Sequence, residues 1–172
     1  HPGFSTPDWA KGGIFYQIYV DRFNNGDKSN DVLTDEYHYI NGHSIHKEWN
    51  EKIDTGLLEH YGGDLQGVID KLDYLKKLGV EVLYLNPIFI SPSNHKYDTA
   101  GFYHIDPHFG VIVNDEGELL ERGASDYAKA TRFIKRVSGA ESRAASDALF
   151  AKLTDDAHKR RLKVILCLLY TT

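Results

Sequence analysis

A polar segment between residues 25 and 31 carries side chains suited to holding a metal ion. Ca²⁺ takes about six to eight oxygen ligands from carboxylates, amides and backbone carbonyls. The segment offers several such oxygens and one glycine for a tight bend, with two more donors before the next helix. The candidate donors are Asn25, Asp27, Asn30, Asp31, Gly62 and Asp64. Their spacing is not that of an EF-hand, and the alternative is a solvated turn in which Asp64 only caps a helix.

A second candidate site is the pair Tyr97 and Asp98 in a polar, aromatic loop. A sugar ring presents an apolar face that stacks on an aromatic ring and hydroxyls that hydrogen-bond to a carboxylate. His95 is a candidate to line the same cleft, whereas Asp106 is expected to hold the loop. The alternative is a tyrosine that only packs on the rim of the domain.

Three further groups of residues are predicted to have no catalytic or metal-binding role. The residues His38, His43 and His46 lack a zinc spacing and a nearby cysteine, so surface histidines are expected. Cys167 lies in an apolar segment with no histidine close by in sequence, which predicts a buried, inert thiol. The basic run at 159–161 closes a predicted helix, where cations complement the helix dipole.

The bulk composition excludes several classes of protein. The chain has 172 residues, 20 Lys and Arg against 25 Asp and Glu, and a net charge of −5. This balance argues against a partner that is nucleic acid or an anionic membrane. No apolar run approaches the ~20 residues of a membrane span, and no signal segment opens the chain. A single cysteine excludes an internal disulfide.

The hydrophobic pattern predicts an α/β fold with a parallel sheet. Strands are expected at 14–20, 80–85 and 162–166, and helices at 65–78, 125–137 and 146–160. Gly79 alone joins the first helix to the second strand, so the two strands must be parallel with a right-handed crossover. Residues 1–12 form a lead-in, long polar loops follow the first two strands, and 111–124 is a surface excursion within an insert at 111–146.

Five motifs in this order resemble the α-amylase family, glycoside hydrolase family 13. They are FYQIYVDRFNNGD at 15–27, YGGDLQG at 61–67, LYLNPI at 83–88, HKYDT at 95–99 and IDPHFG at 105–110. The sequences of these motifs are most similar to those of the neopullulanase and cyclomaltodextrinase branch. The resemblance implies a (β/α)₈ TIM barrel, of which residues 13–166 would supply about the first three strands, with the active site on the loops after the strands.

The resemblance also assigns roles to the candidate residues. It implies that the six donors bind structural Ca²⁺, with Gly62 contributing its carbonyl. It implies that Tyr97 is a stacking platform at the cleavage subsite and that Asp98 contacts a sugar hydroxyl. The substrate would be an α-glucan joined by α-1,4 and α-1,6 bonds. The parent enzyme would retain the configuration at the anomeric carbon by way of a covalent glycosyl-enzyme intermediate.

The catalytic carboxylates of the family follow the fourth, fifth and seventh strands, and none is present here. Cys167 stands where the family has an aspartate, and Arg161 replaces the usual glycine after the helix. We therefore expect an N-terminal fragment that is inactive by itself, with a tail at 167–172 that is not native sequence. A non-catalytic module that binds Ca²⁺ and glucan is the alternative. The sequence indicates neither the compartment nor the oligomeric state.

Overall fold

A computed structural model describes residues 3–54 and 56–169. Its strands are β1 (Phe15–Ile18), β2 (His38–Tyr39), β3 (Gly42–His43), β4 (Ile45–His46), β5 (Glu59–His60), β6 (Val82–Leu85) and β7 (Lys163–Leu166). Its α-helices are α1 (Leu65–Asp70), α2 (Leu72–Lys77), α3 (Thr131–Ser138) and α4 (Ala140–Lys159). Residues 170–172 of the predicted non-native tail and residues 1–2 of the lead-in lie outside the described residues. The lead-in, expected to be irregular, contains one 3₁₀ turn, Asp8–Ala10.

The central sheet is parallel and has the strand order β1-β6-β7. The register sets Tyr16 beside Leu83 and Leu83 beside Val164. The three strands lie in the sheet in the same order as along the chain, as successive strands of a β/α barrel do, and β2 to β5 belong to the loop between β1 and α1. The predicted α/β class, the parallel sheet and the three-strand partial barrel are confirmed.

The two faces of this sheet differ in burial. Alternate residues of a strand point to opposite faces, and Ile18, Leu83 and Leu85 belong to the main apolar core with the helices. On the other face Phe15 is 45% exposed, and Gln17 is also exposed. In the described part of the chain helices therefore cover one face of the sheet, and the other is the face that a closed barrel turns inward.

The predicted helix at 65–78 is two short helices, α1 and α2. Lys71 adopts φ −101° and ψ 2°, which interrupts the helix between them. The apolar face is otherwise as predicted, because Leu65, Val68, Leu72 and Leu75 are fully buried. Leu78 was expected on that face but is 54% exposed, because it caps the end of α2 instead of packing within it.

Helices α2 and α4 end in the same backbone motif on two different residues. Gly79 adopts φ 92° and Arg161 adopts φ 58°. In each motif the next residue's N–H reaches back five residues, from Val80 to Leu75 and from Leu162 to Ala157. Arg161, which replaces the usual glycine of the family, therefore adopts the left-handed conformation that glycine adopts without steric cost.

Helix α4 begins at Ala140, so the predicted start at Ser146 is wrong. The six preceding residues, AESRAA, are mostly strong helix formers, so the helix begins directly after its N-cap, Gly139. Ser146 is buried within α4, where its hydroxyl donates to the Ser142 carbonyl at 2.7 Å. The predicted helix at 125–137 is a 3₁₀ turn, Tyr127–Lys129, followed by α3. The proposed limits of the insert, 111–146, stay a prediction.

A second apolar cluster joins the loop after β1 to the insert. Its buried members are Val32, Tyr37, Leu120, Ala130 and Phe133. Leu120 therefore corrects the expectation that 111–124 only runs over the surface. Within the long loop itself β2 pairs with β3 and β4 pairs with β5, two residues each. Cys167, predicted to be buried, is half-buried beyond β7.

Replacing Arg161 by glycine is expected to stabilise the protein, because glycine adopts a positive φ without strain. The free energy of unfolding should rise by on the order of 1 kcal/mol, measured by urea denaturation with circular dichroism. The matched variant is Gly79→Ala, which adds a side chain to the same motif and should lower it by a similar amount. A destabilised Arg161→Gly chain would contradict this reading.

Candidate functional site

The side chain of Asp64 ties the loop after β1 to the start of α1. Its Oδ1 accepts from the Gly67 N–H at 2.6 Å, so it caps the helix as predicted. Its Oδ2 accepts from the Asp27 N–H at 2.8 Å and from the Asn30 amide at 3.2 Å. Asp64 is fully buried, and burial raises its pKa. It is both a helix cap and a member of the oxygen cluster.

Gly62 brings the backbone against two of the other candidate donors. A Cβ at this position would lie 2.2 Å from Asp31 Oδ1 and 2.3 Å from Asn25 Nδ2. Its φ of 73° is also in the left-handed region. Asn25 Nδ2 donates to Asp31 Oδ1 at 2.8 Å. Only glycine fits here, and it holds a backbone segment beside an amide and a carboxylate.

Two buried oxygens of this cluster, Asn25 Oδ1 and Asn30 Oδ1, have no hydrogen-bond partner among the described residues. Leaving such a group unpaired costs about 1–3 kcal/mol. Beside them Asp31 is 6% exposed, and burial raises its pKa to about 6. Unpaired amide oxygens next to buried carboxylates are the donor set that a hard cation such as Ca²⁺ prefers. The residues therefore fit the predicted ion.

Asp27 contributes to this cluster differently from the other candidates. Its Oδ1 accepts from the N–H and the hydroxyl of Ser29, at 2.9 and 2.6 Å. Its backbone N–H is what reaches Asp64. In the described part of the chain no group of three or more His, Cys, Asp or Glu is arranged to hold a metal. The candidate cluster relies instead on two buried carboxylates and neutral oxygens.

The predicted sugar contacts lie together in the loop after β6. Asp98 accepts hydrogen bonds from the hydroxyls of Ser91, at 2.6 Å, and Ser93. Burial raises the pKa of Asp98, but these hydrogen bonds and one from the Tyr39 side chain outweigh burial and hold the pKa below its usual range. Its side chain stays 35% exposed. The carboxylate is thus ionised, oriented and open to a ligand.

His95 and Tyr97 stack on each other beside this carboxylate. Their ring centroids are 5.6 Å apart with an interplanar angle of 30°. The Tyr97 N–H donates to His95 Nδ1 at 3.1 Å, which orients the imidazole. His95 Nδ1 lies 3.9 Å from Asp98 Oδ1. The structure brings all three predicted substrate-binding residues into one place.

A chain of buried charges lies beneath the loop. Of its members, Asp106 alone was singled out from the sequence. Lys96 Nζ donates to Asp106 at 2.6 Å, and His108 lies 3.0 Å from Asp106 and 2.7 Å from Glu36. Arg136 of α3 closes the chain on Glu36 at 2.9 Å. Every member is at most 3% exposed. Asp106 holds the loop, as expected, because it also accepts from the Ser91 N–H at 3.1 Å.

Charge pairing has a larger effect than burial on the pKa values of the acidic and imidazole groups in this chain of charges. Burial lowers the pKa of His108, but the charge of Glu36 and hydrogen bonds to Asp106 and Glu36 raise it to about 9. Burial raises the pKa of Asp106, but Lys96 and His108 hold it well below its usual range. The pKa of Glu36 is lowered in the same way by His108 and Arg136. All of these groups are therefore charged at neutral pH.

The three histidines expected on the surface are instead partly buried. His43 is the clearest case, since its ring nitrogens lie 2.8 Å from Asp35 Oδ1 and 2.6 Å from the Ala124 carbonyl. His46 Nδ1 lies 3.2 Å from the Val32 carbonyl. The expectation of surface histidines is wrong, because His43 packs against the insert and His46 against its own loop.

Comparison with known proteins identifies the class to which this fold and site belong. Residues 17–124 match the α-amylase family, catalytic domain. The chain therefore belongs to the α-amylase family. Among the described residues no helix has the length and apolar character needed to cross a membrane.

The relatives are enzymes named for α-glucans. The chain is 38% identical to neopullulanase 2 of Thermoactinomyces vulgaris over 163 residues, which is 95% of this chain and 20% of that protein. It is 50% identical to a cyclomaltodextrinase of Thermoanaerobacter pseudethanolicus over 107 residues, 62% of this chain and 16% of that protein. The resemblance to the neopullulanase and cyclomaltodextrinase branch is confirmed.

The solved structures support the same assignment of fold. The type III pullulan hydrolase from Thermococcus kodakarensis superimposes with a TM-score of 0.69 and 34% identity, over 95% of this chain and 24% of that one. The chain spans between 7% and 20% of the length of the first curated relatives that it matches. It corresponds to one part of those larger proteins.

The buried charge chain predicts a pH dependence of stability. The pKa of His108 rises from 6.5 to about 9 on folding, so its contribution is complete below about pH 6.5 and is lost as pH rises through 9. His108→Gln should flatten the decline in unfolding free energy across this window, measured by urea denaturation at a series of pH values. The control is His158→Gln, an exposed histidine of α4. Equal slopes in wild type and His108→Gln would disprove the assignment.

Proposed function

We propose that this chain forms part of the substrate-binding side of an α-glucan hydrolase barrel. The observation that carries the proposal is Asp98, an ionised and partly exposed carboxylate fixed by two serines beside the His95–Tyr97 stack. Tyr97 offers its ring to the apolar face of a glucosyl unit. Asp98 accepts hydrogen bonds from sugar hydroxyls, and His95 lines the same cleft. The position of this loop after β6 supports this, since barrel enzymes bind substrate after their strands.

The bond-breaking groups are proposed to come from other strands of the complete barrel. Glycoside hydrolysis uses two carboxyl groups, about 5–5.5 Å apart in retaining enzymes. Asp21, after β1, and Asp106, in the loop after β6, are buried and form ion pairs with Arg22 and Lys96. Double displacement on α-1,4 and α-1,6 bonds would use carboxylates outside these three strands. This chain is then expected to bind glucan without cleaving it.

We propose that the cluster around Asp64 holds a structural Ca²⁺. Asn25, Asn30 and Asp31 would supply side-chain oxygens, together with Asp27, the Gly62 carbonyl and Asp64. The two unpartnered amide oxygens support this assignment. A bound cation would supply positive charge between buried carboxylates and so hold the loop after β1 against α1.

A second candidate function is a calcium- and glucan-binding module that works without the rest of the barrel. The observation in its favour is that both candidate sites are built within the described residues. A sharp thermal transition and strong glucan binding by the chain alone would favour this module. The barrel fragment predicts a broader transition, because one face of its sheet is uncovered.

The Tyr97 variant tests the binding role. The chain is expected to bind maltoheptaose, followed by isothermal titration calorimetry, and to release no product from it. Tyr97→Ala should weaken binding about tenfold through loss of the stacking surface. Tyr74→Ala, an exposed tyrosine of α2, should leave it unchanged. Cleavage by the purified chain, or equal affinities in both variants, would refute the proposal.

Calcium should raise the melting temperature of the chain. At calcium about 100-fold above its dissociation constant the stabilisation is ~2.7 kcal/mol, which corresponds to several degrees for a chain of this size. Asp31→Asn should lose most of the calcium response, because it removes a buried carboxylate of the cluster. Asp155→Asn, exposed on α4, should keep it. An identical response in Asp31→Asn would rule out this calcium site.

A further inference from the structure

We propose that Trp49 and Arg22 form an additional sugar-binding subsite for an α-glucan chain that also contacts Tyr97 and Asp98. This rests on the proposed function of the loop after β6. The subsite would make affinity depend on the length of the glucan, since a longer chain reaches both contacts.

The proposed subsite is a groove of about 300 Å³ in the long loop between β1 and α1. Its lining residues are Arg22, Trp49, Glu51, Ile53 and Tyr61. Pockets of this size are large enough for small ligands. Trp49 is 45% exposed and Ile53 is 57% exposed, and neither belongs to the two apolar clusters of the described chain. The indole is therefore a surface ring that packing does not require.

Arg22 is fixed in this groove before any ligand arrives. Its Nε donates to Asp21 at 2.7 Å, and its Nη2 donates to the carbonyls of Gly56 and Glu59 at 3.2 and 3.0 Å. Its guanidinium carbon lies 4.5 Å from the centroid of the Tyr61 ring. Nη1 donates to none of the described residues, so its donors remain for a ligand. A rigid donor loses little entropy on binding.

The groove adjoins the loop that carries Tyr97 and Asp98. Asn94 donates to the same two carbonyls as Arg22, at 2.7 Å to Gly56 and 2.8 Å to Glu59. The guanidinium and the amide are thus separated by no more than two hydrogen-bond lengths. Asn94 is three residues before Tyr97, and Tyr19 at the end of β1 also donates to it, at 2.6 Å. Shared hydrogen-bond partners therefore hold the groove and the loop side by side.

The chemistry of the lining favours a neutral polyhydroxylated ligand. An exposed indole face accepts the apolar face of a sugar ring, and a guanidinium donates to neighbouring hydroxyls. Asp21 already pairs with Arg22 at 2.7 Å, and Glu51 adds a carboxylate to the lining of the groove, which disfavours an anionic ligand. The adjoining Asp98 adds a further negative charge. A glucan meets all of these conditions, whereas a phosphorylated or acidic ligand does not.

The chain contains two tryptophans, which makes the test direct. Trp9 lies at the opposite end of the sheet, with Lys163 Nζ 5.5 Å from its ring. In a Trp9→Phe background Trp49 is the sole tryptophan reporter. Titration with maltoheptaose should then change the fluorescence emission of Trp49. Unchanged emission under saturating maltoheptaose would overturn the proposal.

Affinity measurements separate the subsite from the proposed function on which it rests. By calorimetry Trp49→Ala should weaken binding of maltoheptaose about tenfold and leave binding of maltose within about twofold. Trp49→Phe should recover part of the loss, and Trp9→Ala should cause none. If Tyr97→Ala weakens binding but Trp49→Ala does not, the subsite is wrong and the proposed function stands. If the wild-type chain binds neither sugar, both are wrong.

Discussion

The structure depends on a chain of alternating charges buried beneath the loops that follow the sheet. In order its members are Arg136, Glu36, His108, Asp106 and Lys96. Charges taken out of water are tolerated only when paired and hydrogen-bonded, and removing one partner of such a pair costs about 3–5 kcal/mol. Loss of any member takes a charged partner away from at least one neighbour. Three separate segments, the loop after β1, the loop after β6 and α3, are thereby held in one arrangement.

This arrangement connects the two candidate sites. Asp106 accepts from the Ser91 N–H, and the Ser91 hydroxyl orients Asp98. At the other end Arg136 Nη1 donates to the Asp31 carbonyl at 2.8 Å, beside the proposed calcium cluster. The insert that contains α3 therefore contributes a cation that binds the loop after β1 directly and the loop after β6 through Glu36 and His108. This gives the insert a structural role that its sequence did not indicate.

The parallel sheet explains why these polar groups meet. Parallel strands bring their carboxyl ends to one edge, so the loops after β1 and β6 begin side by side. Asp64, which starts α1, then closes one loop, and Asp106 closes the other. Asp64 accepts from residues 34 and 37 positions earlier in the chain, whereas Asp106 accepts from donors within its own loop. Rigidity of the loops thus comes from buried polar contacts as much as from the apolar core.

Local features were determined by the sequence. The strand positions, the cap at Asp64 and the positive φ of Gly79 and Arg161 depend on residues within a few positions of each other. The family motifs likewise grouped His95, Tyr97 and Asp98, and the structure places them together. The start of α4 was predicted wrongly, because the Ala-rich sequence before Ser146 extends the helix to a start that no side-chain cap marks.

Only the tertiary structure decided which charged residues are buried. Glu36 and Arg136 are 100 residues apart in sequence, and Glu36 and His108 are 72 apart. Lysine, arginine and glutamate are mostly exposed in proteins, so nothing in their immediate neighbours predicts their burial. The same holds for the groove of Arg22 and Trp49, where Gly56, Glu59 and Tyr61 contact the Arg22 side chain just beyond β1. Local sequence sets backbone conformation, whereas the desolvation and pairing of charges depend on contacts that exist only after the chain has folded.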